Sequence, residues 1–134
     1  MAEEILKFTK LTFIIHFITG LIFTILFWLP EITAPLFGFT YSPGLGAVTM
    51  TLGAIFVGLT VGSLLGILAK EWKEIKIVVL IETFWLVASL ISFTINLSAY
   101  NAMVYVSMAL SIILLVLFLL TFLQQEDKMK PLFK

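Results

Sequence analysis

The chain has 134 residues, of which 61% are hydrophobic and 12% are charged, and its mean hydropathy is +1.17. Soluble domains carry roughly 25% charged residues, so this chain has too little charge to cover a surface that faces water. This composition argues against a cytosolic enzyme and against a disordered tail. Eight lysines balance eight acidic residues, which leaves no basic surface for a nucleic acid. The sequence contains no cysteine, which excludes disulfides and thiolate chemistry.

Four apolar stretches are each long enough to cross a bilayer core, which needs about 20 residues of helix. They cover residues 11–29, 45–69, 75–97 and 102–123. Backbone groups in lipid must bond within their own segment, so each stretch is predicted to be a helix. The first stretch is longer than the apolar run of a signal peptide, so we expect it to be retained. Residues 1–134 are therefore expected to form a single transmembrane domain.

The lysines all fall on one side of this four-span pattern. The outer segments 30–44 and 98–101 contain none. The positive-inside rule then places both termini and the link between the second and third spans in the cytoplasm of a multi-pass cell-membrane protein. Short links favour antiparallel neighbours, so the predicted fold is an all-α, antiparallel four-helix membrane bundle. The eight residues are Lys7, Lys10, Lys70, Lys73, Lys76, Lys128, Lys130 and Lys134.

The outer segment 30–44 is expected to be a loop that stays close to the bundle. It contains Leu36, Phe37, Phe39 and Tyr41, which favour the membrane interface over water. Two interpretations remain open, a passive hydrophobic cap and a lid over an outward-facing cavity.

Two titratable candidates lie well inside the predicted spans, where charges are costly and mark functional sites. His16 follows Lys10 by six residues, and Glu82 follows Lys76 by six. At 1.5 Å per residue, both lie about 9 Å from those lysines and could meet. The pair could be a structural hydrogen bond, a proton-coupled or cation-coordinating site, or an acid–base pair acting on a lipid-like substrate. Glu82 could instead reach the cytoplasmic headgroups alone. One His and one Glu are too few ligands for a zinc site, so no metal or other cofactor is expected.

Polar side chains form a stripe on each of these two helices. The third predicted helix carries Glu82, Ser89 and Asn96 at a spacing of seven residues, beside Trp85. These stripes are expected to line either a packed polar seam or a narrow cavity with Glu82 at its floor. The first predicted helix contributes Thr12, His16 and Thr19.

The second predicted helix carries Gly58, Gly62 and Gly66, a repeated small-xxx-small ridge that permits close helix contact. Ser107 and Ser111 in the fourth predicted helix offer similar contacts. The ridge could serve packing within one chain, a homo-oligomer or a partner in a membrane complex.

Residues 52–59 read Leu-Gly-Ala-Ile-Phe-Val-Gly-Leu. Together with the length and the four spans, this segment resembles small four-span membrane proteins of the DoxX-like kind. The resemblance implies the fold and little about chemistry. Small multidrug exporters resemble the chain in helix count, but their membrane carboxylate lies in the first helix, where this chain has His16.

Three functions are compatible with these features. The first is a non-enzymatic membrane protein that binds a small or lipid-like ligand, or a partner helix, in its polar seam. The second is a proton-coupled transporter or channel using Glu82. The third is a lipid-modifying enzyme using His16 and Glu82. The first is our prediction, with the bilayer as partner and no assigned catalytic residue.

Overall fold

The computed structural model describes residues 4–129 and is all-helical in that range. Its helices are α1 (Lys7–Phe27), α2 (Pro30–Leu36), α3 (Pro43–Leu68), α4 (Trp72–Ile95) and α5 (Met103–Gln125). A single 3-10 turn, Leu97–Ala99, lies between α4 and α5. Extended pairing among the described residues is limited to one isolated bridge between Glu4 and Glu71.

Four of these helices, α1, α3, α4 and α5, have the length and hydropathy needed to cross a membrane. They correspond to the four predicted spans and differ from them by a few residues at each end. Each exposes large apolar side chains, such as Ile22, Leu65, Phe84 and Ile113. A water-soluble monomer rarely exposes so extensive an apolar surface, which indicates contact with lipid.

Helix α2 lies within the segment that the sequence predicts to be a loop. Pro30 occupies its first position, where the fixed φ of proline suits a helix and no N–H is needed. Gly38 follows the end of α2 with a φ of +92°, a conformation that favours glycine. The main chain of this segment is held by Asn101, whose backbone N–H donates to Phe37 O at 3.2 Å and whose side-chain amide donates to Leu36 O at 3.0 Å.

Local signals explain where α3 and α4 begin. Ser42 Oγ accepts a hydrogen bond from the N–H of Leu45 at 3.2 Å, and Pro43 fills the first helical position. Glu71 and Glu74 form a reciprocal capping box at the start of α4. Both devices satisfy amide groups that the first helical turn leaves without partners.

Helix α1 packs mainly against α3, and α4 packs mainly against α5. Glycines permit the close approach of α1 to α3. A Cβ on Gly20 would lie 2.6 Å from Thr60 Oγ1, and a Cβ on Gly66 would lie 2.5 Å from the Phe13 ring. Helix α1 also contacts α5, and α3 contacts α4, so the four long helices enclose a shared interior.

Several lysines lie at one end of this bundle, which we call the lysine end and define by Lys10, Lys70, Lys76 and Glu126. The ammonium group of Lys10 donates to the carbonyls of Ile67 and Ala69 at the end of α3. Glu126 Oε1 accepts from the indole N–H of Trp72 at 2.6 Å and lies 2.8 Å from Lys76 Nζ. These two contacts lower the pKa of the Glu126 carboxyl from its ordinary value. Lys130 and Lys134 lie outside the described residues.

The interior near the lysine end combines apolar packing with buried polar groups. Phe13, Ile75, Val79 and Phe118 form the tightest part of the core. Buried polar side chains lie beside them and pair across helices: Thr121 Oγ1 donates to Thr12 Oγ1 at 3.1 Å, and Thr9 Oγ1 donates to Gln125 Oε1 at 3.1 Å. Apolar groups outside and polar groups inside are the distribution expected for a bundle surrounded by lipid.

Candidate functional site

A cavity of about 470 Å³ lies among α1, α3, α4 and α5, beyond the core and away from the lysine end. Ligand sites typically occupy about 300–1,000 Å³ and are lined mainly by apolar and aromatic side chains. Helix α2 and the residues after it contribute Thr33, Ala34, Phe37 and Phe39 to the wall. The segment predicted to be a cap or a lid therefore lines the cavity.

Aromatic rings form much of the wall. The rings of Phe27 and Phe56 are nearly parallel at 5.3 Å, and those of Phe23 and Phe56 lie 5.6 Å apart at an angle of 18°. Trp85 packs edge to face against Phe56, with ring centroids 6.2 Å apart. These contacts make this part of the wall aromatic and apolar.

His16 lines the cavity at its core-facing end and connects it to a buried polar cluster. Nδ1 of His16 lies 2.6 Å from Ser63 Oγ, and Nε2 lies 3.5 Å from Glu82 Oε2. The ring of Phe118 packs edge to face against the imidazole at 5.1 Å. His16 is 5% exposed and Glu82 is 1% exposed, so the cluster is buried and only His16 borders the cavity.

The hydrogen bonds of the cluster restrict which of its atoms carry protons. Ser63 Oγ lies 3.1 Å from Leu59 O, and when the serine proton points to that carbonyl, Ser63 Oγ accepts from the Nδ1–H of His16. In a neutral imidazole, Nε2 then carries a lone pair that faces Glu82 Oε2. A proton on Glu82 would point at that lone pair, and a proton on Nε2 would point at a carboxylate. Either arrangement leaves no net charge on the pair, and at 3.5 Å the two atoms lie close together without forming a hydrogen bond.

The other residues of the predicted stripes have different positions. Thr19, Trp85 and Ser89 line the cavity. Thr12 is buried nearer the lysine end, where it pairs with Thr121. Asn96 lies at the end of α4, is exposed, and donates its amide to Ser92 O at 2.9 Å, so it does not contribute to the cavity wall.

The sequence-based picture of Glu82 as the floor of a cavity differs from the structure, because Glu82 lies behind His16 and is absent from the wall. The imidazole and the core residues separate the carboxyl from the open volume. His16 is therefore the polar group that a cavity ligand would meet at this end.

The predicted glycine ridge on α3 does not act as one contact surface. Gly66 faces Phe13 of α1, while Gly62 faces Val78 and Glu82 of α4. Gly58 has open space where a Cβ would lie, so it packs against nothing within the described chain. Ser107 and Ser111, predicted as helix contacts, line the cavity from α5.

The sequence analysis does not predict two contacts of His16, those with Ser63 and Phe118. The spacing of Ser63 from the nearest lysine could have indicated the first contact. Ser63 precedes Lys70 by seven residues, which places it about 10 Å from the lysine end and at nearly the depth of His16. Phe118 is one of many large apolar residues in α5, and nothing in the sequence distinguishes it from its neighbours.

Within residues 4–129, no group of three or more His, Cys, Asp or Glu side chains could hold a metal ion. No family model, curated protein or solved structure matches the chain. The cavity and the buried pair of His16 and Glu82 are the features of this chain that bear on its function.

Proposed function

We propose that this protein is a non-enzymatic integral membrane protein that binds a small, mainly apolar ligand inside its helix bundle. The observation that carries this proposal is the aromatic cavity of about 470 Å³, which is large enough for a molecule of drug size. An enzyme acting through His16 and Glu82 would need both groups beside its substrate, but only His16 reaches the cavity wall.

In this proposal the four long helices form an antiparallel bundle with both termini in the cytoplasm. Contacts at the lysine end support this arrangement, because they join the start of α1 to the end of α3 and the start of α4 to the end of α5. Lys10 binds the last carbonyls of α3, and Lys76 pairs with Glu126. A concentration of lysines at one membrane face is typical of the cytoplasmic side. The cavity then lies in the outer half of the bilayer.

The resemblance to DoxX-like four-span proteins remains our proposal for the family. It rests on residues 52–59 and on the four long helices. Phe56, within that segment, contributes to the cavity wall.

Naphthalene, an apolar ring of suitable size, is the probe for this function. We expect saturable binding by titration calorimetry to the protein in maltoside micelles, after subtraction of partition into micelles alone. Ser89→Phe should weaken that binding, because Ser89 lines the cavity and the new ring would occupy part of its volume. Ile91→Phe is the matched control on α4, since Ile91 is exposed and absent from the wall. Binding that never saturates, or that is equally tight in Ser89→Phe and Ile91→Phe, would contradict the proposal.

A second candidate function, proton-coupled transport, is favoured by the buried pair of His16 and Glu82. Their facing atoms are 3.5 Å apart, and Glu82 Oε2 has no hydrogen-bond partner among the described residues. A carboxyl group in this position can exchange its proton with the adjacent imidazole once the two atoms approach to hydrogen-bond distance.

The test uses proteoliposomes that contain a pH-sensitive dye and are exposed to an imposed pH difference. The transport hypothesis predicts slower proton flux in Glu82→Gln than in the wild type. Glu74→Gln, at the exposed start of α4, is the control and should keep the wild-type rate, because an amide oxygen can still cap the helix. Equal flux in all three proteins rejects this candidate and leaves the pair as a structural contact.

A further inference from the structure

We propose that the cavity opens sideways into the bilayer between α3 and α4, and that the acyl chain of a membrane lipid enters it there while the headgroup stays outside. This inference rests on the proposed ligand-binding function and specifies both the ligand and its route. Three features of the structure support the route: the separation of α3 from α4, the exposed residues along that separation, and the cover over the end of the bundle.

Helices α3 and α4 lie close together near the lysine end and separate away from it. A Cβ on Gly62 of α3 would lie 3.4 Å from Val78 Cγ1 of α4. A Cβ on Gly58, about one turn farther from the lysine end, would have no neighbouring atom within 4 Å. The contact between the two helices is therefore lost in the direction of the cavity.

The faces that meet at Gly62 and Val78 reach the cavity farther along each helix. Val48 precedes Gly62 by fourteen residues and Ser92 follows Val78 by fourteen, so each continues its face for about four turns. Val48 and Ser92 are exposed and line the cavity, and so does Ala88 of α4. The described lining residues of α1, α2 and α5 are instead buried or half-buried. The opening therefore lies between α3 and α4, and we call it the α3–α4 gap, defined by Val48, Ala88 and Ser92.

The end of the bundle opposite the lysine end is covered. Thr33, Ala34 and Phe37 are buried and line the cavity at that end. Asn101 holds the main chain of this segment through its hydrogen bonds to Leu36 O and Phe37 O. This cover leaves the α3–α4 gap as the exposed part of the described wall.

The depth of the gap favours a lipid chain over a dissolved solute. Ser92 lies three residues before the end of α4, and Ala88 lies seven residues before it, about 10 Å along the helix. The gap thus runs from the interfacial region into the hydrocarbon. Acyl chains are the solvent at that depth, and a ligand at so high a concentration occupies even a weak site by mass action.

The composition of the wall keeps the headgroup out. None of the described residues that line the cavity is an Asp, Glu, Lys or Arg. A phospholipid headgroup inside would lose its hydration without gaining an ionic partner among these side chains, which is strongly unfavourable. An acyl chain loses no hydration when it moves from the bilayer into the cavity. The chain can therefore enter through the gap while the headgroup stays at the interface.

A phosphatidylcholine with a photoreactive diazirine near the middle of one acyl chain tests this inference in proteoliposomes. Irradiation attaches the lipid, and peptide mass spectrometry locates the attachment. Leu110 of α5 is half-buried and lines the cavity, whereas Ile112 is exposed and absent from the wall. We expect labelling of both residues in the wild type, of Ile112 from the surrounding bilayer and of Leu110 from a chain inside the cavity.

Narrowing the gap should separate the two signals. Val48→Phe combined with Ala88→Phe adds a ring on each side of the gap, so the labelling of Leu110 should be largely lost. The matched control combines Ile55→Phe and Ile91→Phe, because both residues are exposed on the same two helices and absent from the wall. This control should keep the labelling of Leu110.

The labelling of Ile112 should persist in both double variants, which shows that each is inserted in the bilayer. Equal labelling of Leu110 in the two variants would overturn the lateral route. A wild type in which Ile112 is labelled and Leu110 is not, as when a second copy covers the gap, would overturn the acyl chain as ligand. If naphthalene still binds saturably in micelles in either case, the binding function stands. If naphthalene does not saturate and Leu110 is not labelled, the binding function fails and this inference fails with it.

Discussion

Contacts on three sides of the imidazole hold His16 in one position at the core-facing end of the cavity. Ser63 binds Nδ1, Glu82 faces Nε2, and Phe118 packs against the ring. The imidazole therefore presents its ring, and not a free nitrogen, to the cavity. A ligand would contact it by packing.

Removing the hydroxyl of Ser63 tests how much this fixation stabilises the protein. Ser63→Ala leaves the buried Nδ1–H of His16 without an acceptor, so we expect the free energy of unfolding to fall by about 0.6–2 kcal/mol. Thr51→Ala is the control on the same helix, because Thr51 is exposed and bonds only to Ala47 O. Its effect should stay within about 0.5 kcal/mol. Unfolding in micelles, followed by circular dichroism, provides both values, and equal losses would contradict the assigned hydrogen bond.

The sequence predicts how deep a side chain lies in the bilayer, but not the direction in which it points from its helix. Counting residues from the lysines places His16 and Glu82 at one depth, and their side chains lie 3.5 Å apart. The same counting cannot show that the Glu82 carboxyl lies behind the imidazole. That position depends on the rotation of α4 about its axis, which packing against α3 and α5 decides.

Among the elements, α3 shows how one small-residue pattern serves different contacts. Gly66 admits the Phe13 ring of α1, whereas Gly62 lies against α4 and Gly58 faces open space. A spacing of four residues drifts slowly around a helix, so successive positions come to face different neighbours. Self-association through the open face at Gly58 stays a prediction.

Alanine at these glycines should have opposite effects on stability. Gly66→Ala places a methyl group 2.5 Å from the fully buried Phe13 ring, and we expect a loss of about 1–3 kcal/mol. Gly58→Ala meets no neighbour and should gain up to about 1 kcal/mol from helix propensity. Thermal unfolding of the two variants in one detergent measures the difference. A loss at Gly58 as large as that at Gly66 would indicate that a second copy covers Gly58.

The four long helices could be predicted from hydropathy alone, but α2 could not. Its seven residues are too few for a periodic pattern, and they include two prolines. Its position depends on contacts with Asn101, which is distant in sequence. The sequence therefore predicts that this segment lies against the bundle, but it does not predict that α2 contributes to the cavity wall.

Across the whole molecule, the distribution of polarity accounts for the fold and for the position of the cavity. Ile22, Leu65 and Phe84 face outward, while Thr9, Ser63 and Glu82 are buried. In lipid, this arrangement satisfies the polar groups within the bundle and leaves apolar groups in contact with acyl chains. The packed core near the lysine end holds the helices together, so the opposite half of the bundle can remain open enough to contain a cavity.

The membrane topology determines which face of the bilayer the cavity lies nearer to. The chain has no native cysteine, so single cysteines can be labelled without background. Lys73→Cys and Lys128→Cys lie at the lysine end, and Ser98→Cys lies in the turn between α4 and α5.

The decisive measurement is the labelling of these three variants in intact cells with a membrane-impermeant maleimide, before and after permeabilisation. The four-span bundle predicts that Ser98→Cys reacts in intact cells, whereas Lys73→Cys and Lys128→Cys react only after permeabilisation. If Lys73→Cys and Ser98→Cys are both labelled in intact cells, or both only after permeabilisation, then α4 does not cross the bilayer. That result would contradict the four-span bundle.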